Sequence, residues 1–215
     1  MTNITLNELQ TEFLEKFFKH DSQFFLTGGA ALVGFYLNHR QTEDVDLFTL
    51  EDEIELGFAL VNEVAREMGA DVESIQTTPD FRRLLLARGE SAIVVDLVHE
   101  YVYQIDRNKR VINGIRLDTP EEILANKLCA LLSRSEVRDL VDVRALETAG
   151  HTIDSAIDAA AKKDSGFTPA QLAWVLSDIR FGEDLVPPGD ISRTDLQNYS
   201  NELQARLLRM AFPNN

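Results

Sequence analysis

Two adjacent glycines, Gly28 and Gly29, interrupt an apolar stretch: Phe24-Phe25-Leu26 precedes them, and Ala31-Leu32-Val33 and Phe35-Tyr36-Leu37 follow. The aromatic run reads as a buried strand and the later segment has helical density. The order strand, glycine turn, helix constrains the fold strongly. Paired glycines let the backbone come close to a ligand, and the N–H groups that open a helix favour an anion. Fifteen residues beyond Gly29 lies Asp44-Val45-Asp46-Leu47-Phe48. Alternation along a strand puts both carboxylates on one face, and a pair of hard oxygen ligands suits Mg²⁺. A phosphate-holding turn is therefore expected opposite a metal-binding strand.

The rest of the pattern predicts an α/β (α+β) protein: a mixed sheet flanked by helices, then a C-terminal helical region. Thr5-Leu6-Asn7-Glu8 reads as a capping box, opening an amphipathic helix that carries Leu6, Leu9, Phe13 and Phe17, ends near Lys19 and packs on the sheet. A helix over about 52 to 68 precedes three strands, 71 to 77, 81 to 87 and 92 to 98, separated by turn residues as in a meander. Val111 to Leu117 contains Asn113-Gly114, a hairpin signal at the sheet edge. Thr119-Pro120-Glu121-Glu122 supplies an N-cap, Pro at N1 and Glu at N3. Helices follow at 120 to 134, 136 to 149, 153 to 163, 169 to 178 and 192 to 211, with Pro187-Pro188-Gly189 as a turn before the last. The domains expected are a core over 1–118 and a helical region over 119–215 packed on it.

At 215 residues the chain can bury one sizeable core or two small ones. A net charge of −15 argues against strong non-specific nucleic-acid binding. Residues 82 to 144 nevertheless carry eleven Lys/Arg against ten Asp/Glu, while the remainder carries ten against twenty-six. A polyanion should thus meet the middle of the chain, along Arg82, Arg83, Arg107, Lys109 and Arg110. No segment has eighteen uninterrupted apolar residues, so no membrane partner is expected. Met1-Thr2-Asn3-Ile4 lacks a basic or apolar leader and Cys129 has no second cysteine to pair with, which reads as cytoplasmic. Cys129 sits among apolar helix residues without an activating base and reads as a core residue. His20, His39, His99 and His151 show no zinc-ligand spacing.

Several residues carry both a chemical and a plain structural interpretation. Asp44 and Asp46 could cap a turn or be solvated. Asp96 lies in Ala92-Ile93-Val94-Val95-Asp96-Leu97-Val98, a strand apolar on both faces, so it needs hydrogen-bond donors or a cation. As a third metal ligand it would join two Mg²⁺ ions that neutralise three converging carboxylates and bridge nucleotide phosphates to an attacking hydroxyl. Lys127 falls between Ile123 and Leu131 on an apolar helix arc, where it either meets an anion or snorkels. Arg138 and Asp142 are spaced for a helix-surface salt bridge. Arg40 suits a helix C-terminus, and Thr42 a turn.

Gly28-Gly29 followed by Arg40-Gln41-Thr42-Glu43-Asp44-Val45-Asp46-Leu47-Phe48 resembles the signature of the DNA polymerase beta-like nucleotidyltransferase superfamily, and within it the AbiEii/AbiGii toxin family. Leu124 to Leu131, with Lys127, and the run Arg138-Asp139-Leu140-Val141-Asp142-Val143 are similar to that family's later motifs. The resemblance spans about residues 20 to 147; the final helices match no named motif.

The resemblance implies a Mg²⁺-dependent nucleotidyltransferase moving a nucleoside monophosphate from an NTP to an acceptor hydroxyl. In that role Gly28 and Gly29 hold phosphates, with Arg40, Thr42, Arg138, Asp139 and Asp142 also in the nucleotide site. Asp44 and Asp46 bind both metals, Asp96 helps deprotonate the acceptor, and Lys127 offsets triphosphate charge. Asp139 or Asp142 holds the nucleotide or orients Lys127. The implied acceptor is the 3′ end of tRNA, and the implied setting a toxin–antitoxin pair with a cognate antitoxin as partner. A protein or small-molecule acceptor such as an aminoglycoside is the enzymatic alternative. A nucleotidyltransferase-fold binding module without chemistry is the other, although it would tolerate loss of the three aspartates and Lys127.

Overall fold

In the computed structural model, which describes residues 6–20 and 23–213, the chain divides into two compact units. The first comprises Met1–Tyr101 and Asn108–Thr119, the second Val102–Arg107 and Pro120–Asn215.

The first unit opens with α1 (Glu8–Phe17). Its cap is Asn7 rather than Thr5, which lies outside the described residues. The Asn7 side chain accepts from the Gln10 N–H at 2.8 Å and the Gln10 side chain accepts from the Asn7 N–H at 2.9 Å. The reciprocal box is therefore two residues later than the Thr5–Glu8 pattern suggested. Leu9, Phe13, Leu14 and Phe17 are buried, and Phe17 stacks edge-on against Phe24 with centroids 5.9 Å apart. β1 (Phe25–Thr27) leads into α2 (Gly28–Ala31), which continues as one π-helical turn, Leu32–Tyr36.

β2 (Asp44–Thr49), α3 (Ile54–Met68), β3 (Asp71–Thr78), β4 (Phe81–Arg88) and β5 (Ser91–His99) follow, then the hairpin β6 (Arg110–Ile112) and β7 (Ile115–Leu117). Among the described residues these strands form one mixed sheet in the order β3-β4-β5-β2-β1-β7-β6. β3, β4 and β5 are the antiparallel meander expected; β2 runs parallel to β5, and β1 parallel to β7. The hairpin turns on Asn113 (φ 52°) and Gly114 (φ 82°), both left-handed as a tight I′-type turn requires. Alternation gives β2 two faces. Val45, Leu47 and Thr49 enter the core with Leu84, Leu86, Ile93, Val95 and Leu97, while Asp44, Asp46 and Phe48 stay half-buried on the other face.

The second unit is helical: α4 (Pro120–Arg134), α5 (Val137–Thr148), α6 (Ile153–Lys163), α7 (Pro169–Asp178) and α8 (Arg193–Ala211). Thr168 and Ser192 cap α7 and α8 by accepting from the N–H three residues on. Glu122, placed at N3 of α4 by its spacing, is fully buried and anchors the 102–107 loop. Its Oε2 accepts from the N–H of Ile105 at 2.7 Å, and its Oε1 lies 2.5 Å from Lys163 Nζ, which donates to the Tyr103 carbonyl. That buried pair groups the loop with the helices. Among the described residues no helix is long and apolar enough to cross a membrane.

Candidate active site

The glycine turn is built to approach a carboxylate. Gly28 has φ +63°, and a Cβ there would stand 2.1 Å from Asp46 Oδ2, so both backbone and contact exclude a side chain. A Cβ on Gly29 would stand 2.8 Å from Arg40 Nη2 and 3.1 Å from Thr42 Oγ1. The structure thus gathers Gly28, Gly29, Arg40, Thr42 and Asp46 at one end of β1 and β2. Arg40 is 7% exposed and donates to the Gln41 carbonyl at 2.7 Å, serving this turn rather than a helix end.

Behind the turn, Thr27 Oγ1 donates to Asp118 Oδ2 at 2.7 Å, Lys109 Nζ donates to Asp118 Oδ1 at 2.6 Å, and the Tyr36 hydroxyl donates to the Asp118 carbonyl. The Lys109 side chain is 2% exposed and its ammonium lies over the Phe25 ring. This corrects the expectation that Lys109 meets a polyanion: its charge is spent inside the fold, anchoring the last strand to the glycine turn.

The register places the acids. Thr27 pairs with Asp46 across β1 and β2, Asp46 with Asp96 across β2 and β5, and Asp96 with Arg83 across β5 and β4. Paired positions carry side chains on one face, so Thr27, Asp46, Asp96 and Arg83 form a row, with Asp44 two residues along β2 on the same face. The three carboxylates are not drawn into a tight three-ligand cluster. The group so gathered among the described residues is His20, Glu63 and Glu67, which sequence spacing did not reveal, and both its glutamates are exposed.

Asp96 is 5% exposed, and Arg83 supplies the donors it needs: Nε to Oδ1 at 2.9 Å and Nη2 to Oδ2 at 2.7 Å. The bonds to Asp96 raise the Arg83 pKa against partial burial, and the charges of Asp44 and Asp46 raise it further. Arg83 was read from sequence only as a polyanion contact. The turn Gly89-Glu90 could have placed it, because Arg88 opposite Ser91 fixes Arg83 opposite Asp96. Arg82 is likewise engaged, ion-paired to Glu55 and stacked over Phe58; Arg107 and Arg110 are exposed.

In the second unit the expected residues form a closed network. Lys127 is 6% exposed and its Nζ lies 2.7 Å from both Asp139 Oδ1 and Asp142 Oδ2, each aspartate being fully buried. Arg134, which no motif singled out, grips Asp139 with Nε to Oδ2 at 2.8 Å and Nη2 to Oδ1 at 2.9 Å. Arg138 donates to Glu136 at 2.5 Å. Burial works against the charge on Lys127, but Asp142 and Asp139 outweigh it and hold its pKa above the ordinary value. Burial likewise opposes the Asp139 charge, and Arg134 and Lys127 outweigh it and lower its pKa. The anion that Lys127 called for is thus present within the fold. Cys129 is half-buried and its thiol lies 3.6 Å from the Ala160 carbonyl.

Glu147, Tyr199 and Arg206 line a groove of about 570 Å³ between α5 and α8. Arg206 donates to both Glu147 oxygens, at 2.8 and 2.5 Å, and the Tyr199 hydroxyl donates at 2.6 Å.

No curated protein sequence matches the chain. Among solved structures it is similar to JHP933 from Helicobacter pylori, at 19% identity and a TM-score of 0.59 over 95% of this chain and 92% of that one. It is also similar to MenT4, a nucleotidyltransferase toxin from Mycobacterium tuberculosis, at 15% identity and a TM-score of 0.62 over 93% of this chain and 82% of that one. At such identities the likeness establishes the fold. The model of one sequence family, the nucleotidyl transferase AbiEii toxin of type IV toxin–antitoxin systems, matches residues 12–209, reaching through the final helices that carry no recognisable motif. With the nucleotidyltransferase fold and the glycine turn set against Asp46, that match establishes the chain as a member of the AbiEii nucleotidyltransferase family.

Proposed function

We propose that the protein transfers a nucleoside monophosphate from an NTP to an acceptor hydroxyl, with tRNA 3′ ends as the first acceptor to test. The observation that carries this reading is the row Thr27–Asp46–Asp96 with Gly28 fitted against Asp46. Its aspartates offer hard carboxylate oxygens on one sheet face, the kind Mg²⁺ prefers, and Asp44, Asp46 and Asp96 would hold the ions. Bound there, Mg²⁺ would neutralise triphosphate charge and favour the acceptor alkoxide.

The chain's own groups do the rest. The Gly28–Gly29 backbone seats phosphate oxygens, Arg40 beside Gly29 adds positive charge, and Asp96 receives the proton of the attacking hydroxyl. The acceptor oxygen bonds to the α-phosphorus as the bond to the β-phosphate oxygen breaks, releasing pyrophosphate. Such transfer depends mainly on positioning and electrostatics. Family membership supports a cognate antitoxin as partner.

Incubating the protein with total tRNA, Mg²⁺ and each labelled NTP tests this directly. Label on tRNA with wild type and none with Asp44→Ala is expected. Label on a polypeptide or small molecule instead would move the acceptor. No label anywhere, with NTP binding intact, would leave a binding module.

A further inference from the structure

The acidic row ends on a cation held in a definite way. Arg83 meets Asp96 fork to fork, two parallel bonds that fix the carboxylate plane as well as neutralise it. The Asp96 side chain is 8% exposed and that of Arg83 43%, so the clamp is buried at its acid end and open at its guanidinium end. Asp44 and Asp46, on the same face, also act on Arg83 through their charge. Carboxylates sharing one face of adjacent strands repel one another, and a guanidinium in their row offsets part of that repulsion.

We propose that Arg83 is the positioning residue of this row: it aims Asp96 and supplies positive charge that keeps Asp44, Asp46 and Asp96 together until divalent cations take over that task. The inference rests on the reading of the row as a metal site. Arg83 then has two opposed effects. Its charge competes with divalent cations for the carboxylates, while its fork keeps Asp96 in the orientation that proton transfer needs. An arginine that merely stabilised the β4–β5 hairpin would do neither.

Arg83→Met and Arg83→Lys separate the two. Mg²⁺ is titrated against the protein without NTP, following Tm, and kcat and KM for NTP are measured at saturating Mg²⁺. Metal-free Arg83→Met should melt about 5 °C below wild type, because a buried carboxylate loses its partner. Mg²⁺ should recover most of that loss, at a half-saturating concentration about tenfold lower than wild type. Its kcat should fall about tenfold with KM little changed, since Asp96 is no longer aimed. Arg83→Lys keeps the charge without the fork, so its metal response should match wild type while its kcat falls with that of the methionine variant.

An equal or weaker metal response in Arg83→Met, or full kcat in Arg83→Lys, overturns the proposal. If Arg83→Met does not fold, the lysine variant decides alone, by loss of kcat at unchanged Tm. Asp46→Asn separates this from the larger reading. A wild-type Mg²⁺ response that survives in Asp46→Asn means the row is not the metal site; a response lost in Asp46→Asn but unaltered in both Arg83 variants defeats the Arg83 inference alone.

Discussion

The two charged clusters of this chain are built from the same kinds of side chain and differ in burial. On the sheet face of the first unit, Asp44 and Asp46 are half-buried and the Arg83 fork holds Asp96 from a side chain 43% exposed. In the second unit, Asp139 and Asp142 are matched by Lys127 and Arg134, and both acids are fully buried. Buried charge is tolerated when it is paired and hydrogen-bonded. A fully buried, closed network leaves little room for a ligand ion, whereas a half-buried row stays accessible to one. On the proposed reading, chemistry belongs to the sheet, while the network ties α4 to α5.

Removing Lys127 is the largest test of that division. Lys127→Met leaves Asp139 and Asp142 buried with Arg134 as the remaining partner of Asp139, and should cost about 3–5 kcal/mol of stability. Denaturant unfolding measures it, and adding Asp142→Asn should recover part of the loss. The family resemblance implies instead a lysine that offsets triphosphate charge. A Lys127→Met protein as stable as wild type but without transfer would break the comparison and return the lysine to the nucleotide.

The partners of these charged residues show what was legible. The strand–glycine–helix order, the meander, the Asn113-Gly114 hairpin and α4 through α8 rest on local signals, periodicity, caps and turn residues, and could be placed from sequence. The partners of Asp96 and Asp139 could not be placed by periodicity, because Arg83 and Arg134 reach them across a turn. Arg83 depends on the register set at Gly89-Glu90; Arg134 depends on the chain reversing at Ser135, whose φ is +53°. The 102–107 loop joins the helices through Glu122 and Lys163, contacts far apart in sequence and without a local signature.

A second test compares two glycines in the first unit. Gly28 and Gly69 share nearly the same backbone, φ +63° and +64°, but a Cβ at Gly69 meets nothing within 4 Å. Both alanine variants should lose about 1–2 kcal/mol from left-handed strain. Only Gly28→Ala displaces Asp46, and a shift of that kind should lower transfer about a hundredfold. Equal activity in the two variants would show that the close approach to Asp46 serves stability alone.

The row should also respond to ligand where the network does not. Mg²⁺ with an NTP should raise Tm more than either alone, equivalent to about 2.7 kcal/mol at a hundredfold excess over Kd. Asp46→Asn should abolish the shift, because the shared site loses a hard carboxylate ligand. The same shift in both proteins would move the ligand site away from the row.

The smallest expected effect concerns pH, and its sign follows from the closed clusters. Asp139 is held below its ordinary 3.8, so its contribution is complete above that value and is lost as pH falls through the lower folded pKa. Glu147 opposes burial through Arg206 and Tyr199 and is held below 4.5, with the same sign. Lys127 is held above 10.5, so its contribution is complete below that value and is lost as pH rises through the higher folded pKa. These three groups should therefore leave stability flat from about pH 5 to about pH 10, with losses outside those limits. Glu147→Gln should soften the acid limb by about 1 kcal/mol or less, because that pair is partly solvated. Melting temperatures across pH measure both. An acid limb unchanged in Glu147→Gln would show that this pair contributes nothing to the acid loss.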